Sequence, residues 1–115
     1  MRFRAATAAV AGSLLLLLTL PGRAAAATGD FTYGFTGPDG RPQRTVLADP
    51  VSRECVTIPE AADPGSTSPA FAPVNDTDEV AVVWTNPDCT GEHYVLRPLG
   101  GSASERLKLR SVLFF

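Results

Sequence analysis

A chain of 115 residues, 44% hydrophobic and 19% charged, has material for one small globular core. All twelve carboxylates lie after residue 27, whereas three of the ten cations (Arg2, Arg4 and Arg23) lie before it. The later part therefore carries seven cations against twelve carboxylates, a net charge of −5, which excludes nucleic acid or an anionic membrane as its partner.

Residues 1–27 read as a secretory signal peptide. Arg2 and Arg4 form a positive start, Ala5 to Leu20 an apolar stretch, and Pro21-Gly22 a break. The small residues Ala24 to Ala27 predict cleavage after Ala27 or Ala26. The apolar run is sixteen residues, short of the roughly 20 that a spanning helix needs. The expected product is a secreted domain, residues 28–115, with no membrane attachment after cleavage. Cys55 and Cys89 both fall in it, and two cysteines in an oxidising compartment allow one intramolecular pairing. Closing a loop of 34 positions stabilises a small domain by roughly 3–4 kcal/mol.

Phe31–Phe35 alternates aromatic and small residues, which predicts a first strand. Thr36–Gly40 is a turn, and Gln43–Leu47 returns as the partner strand. Glu54–Ile58 is a third short strand, bounded by Pro59. Glu60 to Asn75 holds Pro64, Pro69 and Pro73 and reads as one Pro-rich loop at 60–75, because prolines at that density oppose helix and central strand alike. Asn75–Glu79 reads as an acidic turn, and Asn75-Asp-Thr77 matches the glycosylation pattern.

Val80–Trp84 is a β-branched strand leading into the Asn86-Pro87-Asp88 turn, and Glu92–Arg97 is the returning arm of a hairpin. Pro98–Ser104 is a flexible connection. In Arg106–Arg110 the leucines face in and the three cations out, a parity that carries Ser111, Leu113 and Phe115 inward. Val112 and Phe114 make the opposite face apolar too, so this last strand is expected inside a sheet rather than at its edge. About six strands with turns between them predict a small all-β sandwich or barrel.

Trp84, Cys89 and Gly91, followed by Ser111, resemble the Greek-key signature of βγ-crystallin-like domains. The resemblance implies a Greek-key sandwich in which the glycine permits a folded-over hairpin and the serine pins it. Cys89 stands where that pattern usually has an aromatic residue, and Phe31-x-x-x-Phe35-x-Gly37 is one residue short of a second copy. Asn75 to Phe115 also resembles a group of small secreted actinobacterial proteins with two cysteines. A further resemblance extends to crystallin-like inhibitors of secreted metalloproteinases.

Calcium-binding members of the crystallin-like family carry paired Asp or Asn residues before the serine. Arg106 to Arg110 occupy those positions and cannot supply oxygen ligands, while Asp76, Asp78 and Glu79 read as a solvated turn. No metal, cofactor or catalytic residue is expected: His93 is the only histidine, and no C-x-x-C spacing or phosphate cradle exists. Arg106, Lys108 and Arg110 are either the solvated face of a strand or a contact surface for an acidic partner. The expected function is that of a secreted, non-catalytic structural or binding domain, with a cell-envelope component as candidate partner. The alternative is an inhibitor that presents the 60–75 loop to a secreted protease.

Overall fold

The computed structural model describes residues 25–115, and the expected leader up to residue 24 lies outside the described residues. Nine strands follow in order: β1 (Gly29–Thr36), β2 (Pro42–Ala48), β3 (Val56–Thr57), β4 (Ala70–Thr77), β5 (Ala81–Asn86), β6 (Thr90–Leu96), β7 (Gly101–Ser102), β8 (Lys108–Leu109) and β9 (Ser111–Phe114). They form two antiparallel sheets. The first runs β2-β1-β4-β7, with β8 also paired to β4, and the second runs β3-β9-β5-β6. Short 3-10 turns occupy Pro59–Ala61 and Pro87–Cys89. The expected all-β sandwich is therefore observed, closed by a Cys55–Cys89 disulfide with a Cα–Cα distance of 5.9 Å.

Period-2 alternation builds the core. Phe31 and Tyr33 of β1 point inward, as do Val83 of β5 and Val112 and Phe114 of β9. Ile58 and Leu109 complete the same cluster. Phe31 and Phe114 come from opposite sheets and meet edge to face at 5.3 Å and 83°. This is the favoured geometry for two quadrupoles, adding about 0.5–1.5 kcal/mol to the burial of both rings.

The Pro-rich segment departs from expectation. Only its first part is loop, and Ala70–Thr77 is an interior strand with β1 on one side and β7 and β8 on the other. Pro73 is tolerated there because the β1–β4 register slips between Thr32 and Gly34. Ala72 takes a positive φ of 50° beside it, so the proline sits in a bulge rather than in a continuous ladder. The Phe71 ring lies against Gly34, where an added Cβ would meet it at 2.5 Å.

Asn75 and Thr77 are buried strand residues, not parts of an exposed acidic turn. The Asn75 side-chain amide donates to the carbonyls of Glu79 (2.8 Å), Arg97 (3.1 Å) and Leu96 (3.2 Å). Its oxygen accepts from the Thr77 hydroxyl at 2.7 Å. That amide has no access for a glycan.

The last strand also differs. Leu109 enters the core from the first sheet and Val112 and Phe114 from the second, because the chain changes sheets at Arg110. Inward parity slips at that crossing, so Leu113 is half-buried and Phe115 is 56% exposed instead of buried. β9 nevertheless lies between β3 and β5, an interior strand as expected.

The predicted boundary at 27/28 falls inside the fold. Ala26 bridges Val51, the Ala27 N–H donates to the Pro50 carbonyl at 2.8 Å, and the Ser52 N–H donates to the Ala25 carbonyl at 2.8 Å. Ala27 is itself buried, so the folded unit includes Ala25 to Ala27.

Phe114→Ala should destabilise the domain by about 3–5 kcal/mol, and Phe115→Ala by less than about 1 kcal/mol. Urea unfolding of both variants checks this, and the reverse order would refute the parity slip at Arg110.

Candidate functional site

Trp84, Cys89, Gly91 and Ser111 converge with Cys55 at one corner. Ser111 lies on β9 opposite both Thr57 of β3 and Trp84 of β5. Its hydroxyl donates to the Asn86 carbonyl at 2.6 Å and accepts from the Cys89 N–H at 2.8 Å. Thr57 Oγ1 accepts from the Asp88 N–H at 3.1 Å. Asp88 and Cys89 have φ of 61° and 56°, a left-handed conformation costing an L-residue roughly 1–2 kcal/mol each. Two side-chain oxygens and the disulfide hold them there. Gly91, at φ 91°, is needed twice over, since a Cβ would also lie 2.4 Å from the Thr85 hydroxyl. That hydroxyl accepts the Glu92 N–H at 3.0 Å, starting β6. Trp84 packs against His93 with ring centroids 4.9 Å apart and the planes tilted by 41°. The side chains of this corner position backbone.

Arg106, Lys108 and Arg110 do not form a row, because β8 and β9 belong to different sheets. Lys108 reaches back to the Glu105 carbonyl at 2.7 Å and lies 5.1 Å from the centre of the Phe71 ring. Arg106 is exposed. Arg110, expected on the solvated face, turns inward and holds the loop after β3. It donates to the carbonyls of Ala61 (3.0 Å) and Thr67 (2.9 Å) and to the Thr67 hydroxyl (3.3 Å). A guanidinium can make three such bonds because its donors are fixed in one plane.

Asp63 organises the same loop from within. Its carboxylate accepts from the Ser66 hydroxyl at 2.7 Å and the Gly65 N–H at 3.0 Å. The Ser66 hydroxyl, then the Gly65 N–H, and lastly the nearby Arg110 charge, hold the Asp63 carboxyl below its ordinary value of 3.8. The loop is thus braced on both sides, which fixes the exposed hydroxyls of Ser66 and Ser68.

Those hydroxyls form one wall of a cleft of about 410 Å³. Glu60 and Thr67 share that wall, and the β1–β2 turn opposite contributes Phe35, Thr36 and Pro38. Glu60 is fixed from below, because its Oε1 accepts the Tyr33 hydroxyl at 2.6 Å. Burial, and after it the hydrogen bond to Glu60 and the Glu60 charge, push the Tyr33 phenol well above its ordinary value of 10.0. The cleft therefore offers an aromatic side chain, a fixed carboxylate and several hydroxyls in its lining. Such a set can seat an apolar face and exchange hydrogen bonds with hydroxyl or amide groups.

Sequence reasoning singled out the 60–75 segment but not Glu60 or Phe35 within the site. Their partners, Tyr33 and the β1–β2 turn, come close only through the fold, and no local spacing marks them. Among the described residues no group of three or more His, Cys, Asp or Glu is placed to hold a metal ion. Compared with protein families, curated proteins and solved structures, the chain finds no match.

Stability that depends on a neutral Tyr33 is fully present below its unfolded value near 10 and is lost as pH rises through the higher folded value. Melting temperatures followed from neutral to strongly alkaline pH should fall accordingly. Tyr33→Phe should flatten that alkaline limb, and an unchanged limb would remove Tyr33 as its source.

Proposed function

We propose that this protein is a secreted, non-catalytic binding module whose ligand is a hydroxyl-rich polymer of the cell envelope, held in the cleft between the β1–β2 turn and the Ala62–Ser68 loop. The observation that carries this reading is the convergence of Phe35, Glu60 and the Ser66–Ser68 hydroxyls on one preformed cleft. A flat apolar ring accepts the face of a sugar, a carboxylate accepts two of its hydroxyls, and short hydroxyl side chains supply the remaining donors. Preorganisation favours such a role, since Arg110 and Asp63 have already restricted the loop before a ligand arrives. Export is supported by the signal-like start of the chain and by the disulfide. No helix of the described residues is long and apolar enough to cross a membrane. The βγ-crystallin-like resemblance belongs to the same reading, supported by Ser111 bonding the folded turn ahead of Gly91.

Sedimentation of the protein with insoluble cell-wall glycan should show saturable binding. Phe35→Ala and Glu60→Gln should each weaken it by about tenfold, or ~1.4 kcal/mol, when measured well below the melting temperature of each variant, since Phe35 also packs against the core and Glu60 accepts the Tyr33 hydroxyl. Binding that survives both substitutions would place the ligand elsewhere.

A second reading, a secreted protease inhibitor, draws on the same bracing, now confined to Ala62–Ser68 because a 3-10 turn ends at Ala61 and strand begins at Ala70. A loop held by Asp63 from inside and Arg110 from below resists the distortion that cleavage requires. Assay against a panel of secreted proteases should show inhibition by the parent and conversion of Arg110→Ala into a cleaved substrate. Inhibition unaltered by Arg110→Ala would exclude this loop as the reactive segment.

A further inference from the structure

Glu60 is held from its backbone as well as from its side chain. It sits in the 3-10 turn Pro59–Ala61, between Ile58 and Ala61, which are both buried. The Ala61 N–H donates to the Ile58 carbonyl at 3.0 Å, and the Ala61 carbonyl accepts from Arg110 at 3.0 Å. Among the described residues, the carboxylate's one hydrogen bond is that from the Tyr33 hydroxyl at 2.6 Å. A carboxylate has about four acceptor positions, so most of its capacity is open to the cleft that Glu60 lines.

Its charge is also unbalanced. Three carboxylates stand on the turn and the segment that wall the cleft: Asp39, Glu60 and Asp63. Arg41 lies 3.7 Å from Asp39, and the Arg110 charge acts on Asp63. Among the described residues no cation pairs with Glu60, and neither lysine nor arginine lines the cleft. The Tyr33 hydroxyl supports the negative charge without cancelling it. Glu60 is half-buried, so its charge is screened less than that of a surface side chain. A fixed anion of this kind gains most from a cation that the ligand itself brings.

We infer that the ligand of this cleft carries free ammonium groups, and that its class is a glycan of de-N-acetylated amino sugars. The inference rests on the glycan-binding reading above and narrows it. The ammonium of such a sugar donates to the open oxygen of Glu60, while its hydroxyls meet Ser66 and Ser68 and its apolar face meets Phe35. An acetylated sugar brings a neutral amide in the same place and leaves the carboxylate without a counter-charge. A polymer of uronate or phosphate sets like charge against Glu60 and is rejected. Seven cations against twelve carboxylates after residue 27 also draw any polycation toward the molecule, so selectivity has to be read at Glu60 itself.

The test is isothermal titration calorimetry with a glucosamine tetramer and its fully N-acetylated counterpart, at mildly acidic pH where the amines are charged. The free-amine tetramer should bind the parent about tenfold more tightly. Glu60→Gln keeps an acceptor for Tyr33 and should bring the two tetramers to equal affinity. Asp76→Asn removes the same charge from an exposed position on β4 outside the cleft and should leave the preference intact. Equal affinities for the parent overturn the inference and leave the glycan-binding reading standing, whereas no binding of either tetramer overturns both. A preference that survives Glu60→Gln, or that Asp76→Asn abolishes, belongs to overall charge and overturns the inference. Should Glu60→Gln not fold, Glu60→Asp withdraws the carboxylate by one methylene and should reduce the preference; an unchanged preference overturns the inference equally.

Discussion

A buried amide cannot be left unpaired, since each orphaned polar group costs about 1–3 kcal/mol, and that constraint sets one end of this molecule. Asn75 belongs to the first sheet, yet two of the carbonyls it satisfies, those of Leu96 and Arg97, lie where the chain leaves the second. Its own carbonyl accepts the Gly100 N–H at 2.7 Å, and the Thr77 carbonyl accepts the Leu99 N–H at 2.9 Å. The connection after β6 is thereby folded back onto β4, and the sandwich is closed at that end. A hydrophobic residue in place of Asn75 would fill the volume but take the amide donor from three carbonyls, leaving that of Glu79 with the Thr77 hydroxyl and that of Arg97 with the Gly101 N–H. Polar chemistry, not apolar packing, fixes how the sheets meet there.

The opposite end relies on covalent and side-chain constraints. There the backbone adopts a left-handed conformation at Asp88 and Cys89, which the sequence alone would avoid. The Ser111 hydroxyl, the Thr57 hydroxyl and the disulfide each hold part of that turn. Between the two ends, the Phe31–Phe114 contact supplies the non-directional part of the stability. Arg110 links this frame to the cleft, since its backbone marks the crossing between sheets while its side chain braces the loop that bears Ser66 and Ser68.

Much of the strand content was legible because period-2 alternation is local. Phe31–Phe35, Val80–Trp84 and the returning arm needed only the side-chain pattern, and the pairing of Cys55 with Cys89 only a count. What stayed hidden was non-local. Pro73 argues against an interior strand unless a bulge is known to sit opposite Tyr33, and that bulge depends on the β1–β4 register. Asn75 and Thr77 look solvated until the carbonyls they serve are in view. At Arg110 the alternation reads as unbroken in sequence, and only the change of sheet reveals the slip that buries Val112 and exposes Phe115. The site shared this fate: Glu60 and Phe35 are far apart in the chain, and nothing but tertiary structure joins them.

The position of β9 has a consequence for when this molecule can fold. Until Ser111–Phe114 inserts, β3 and β5 face each other across a vacant lane, and the second sheet has no ladder joining its two halves. Half of the central aromatic pair is also missing until Phe114 arrives. Pairing of β3 with β9 spans more than fifty residues, as Thr57 opposite Ser111 shows, so its loop-closure entropy is met late, whereas β2, β1 and β4 pair without β9. A chain emerging end-first from a ribosome or a narrow channel would keep its second sheet open until residues 111–114 had cleared it. Closure of the sandwich is timed by β9, which joins the two halves of one sheet and brings Phe114 to Phe31 of the other.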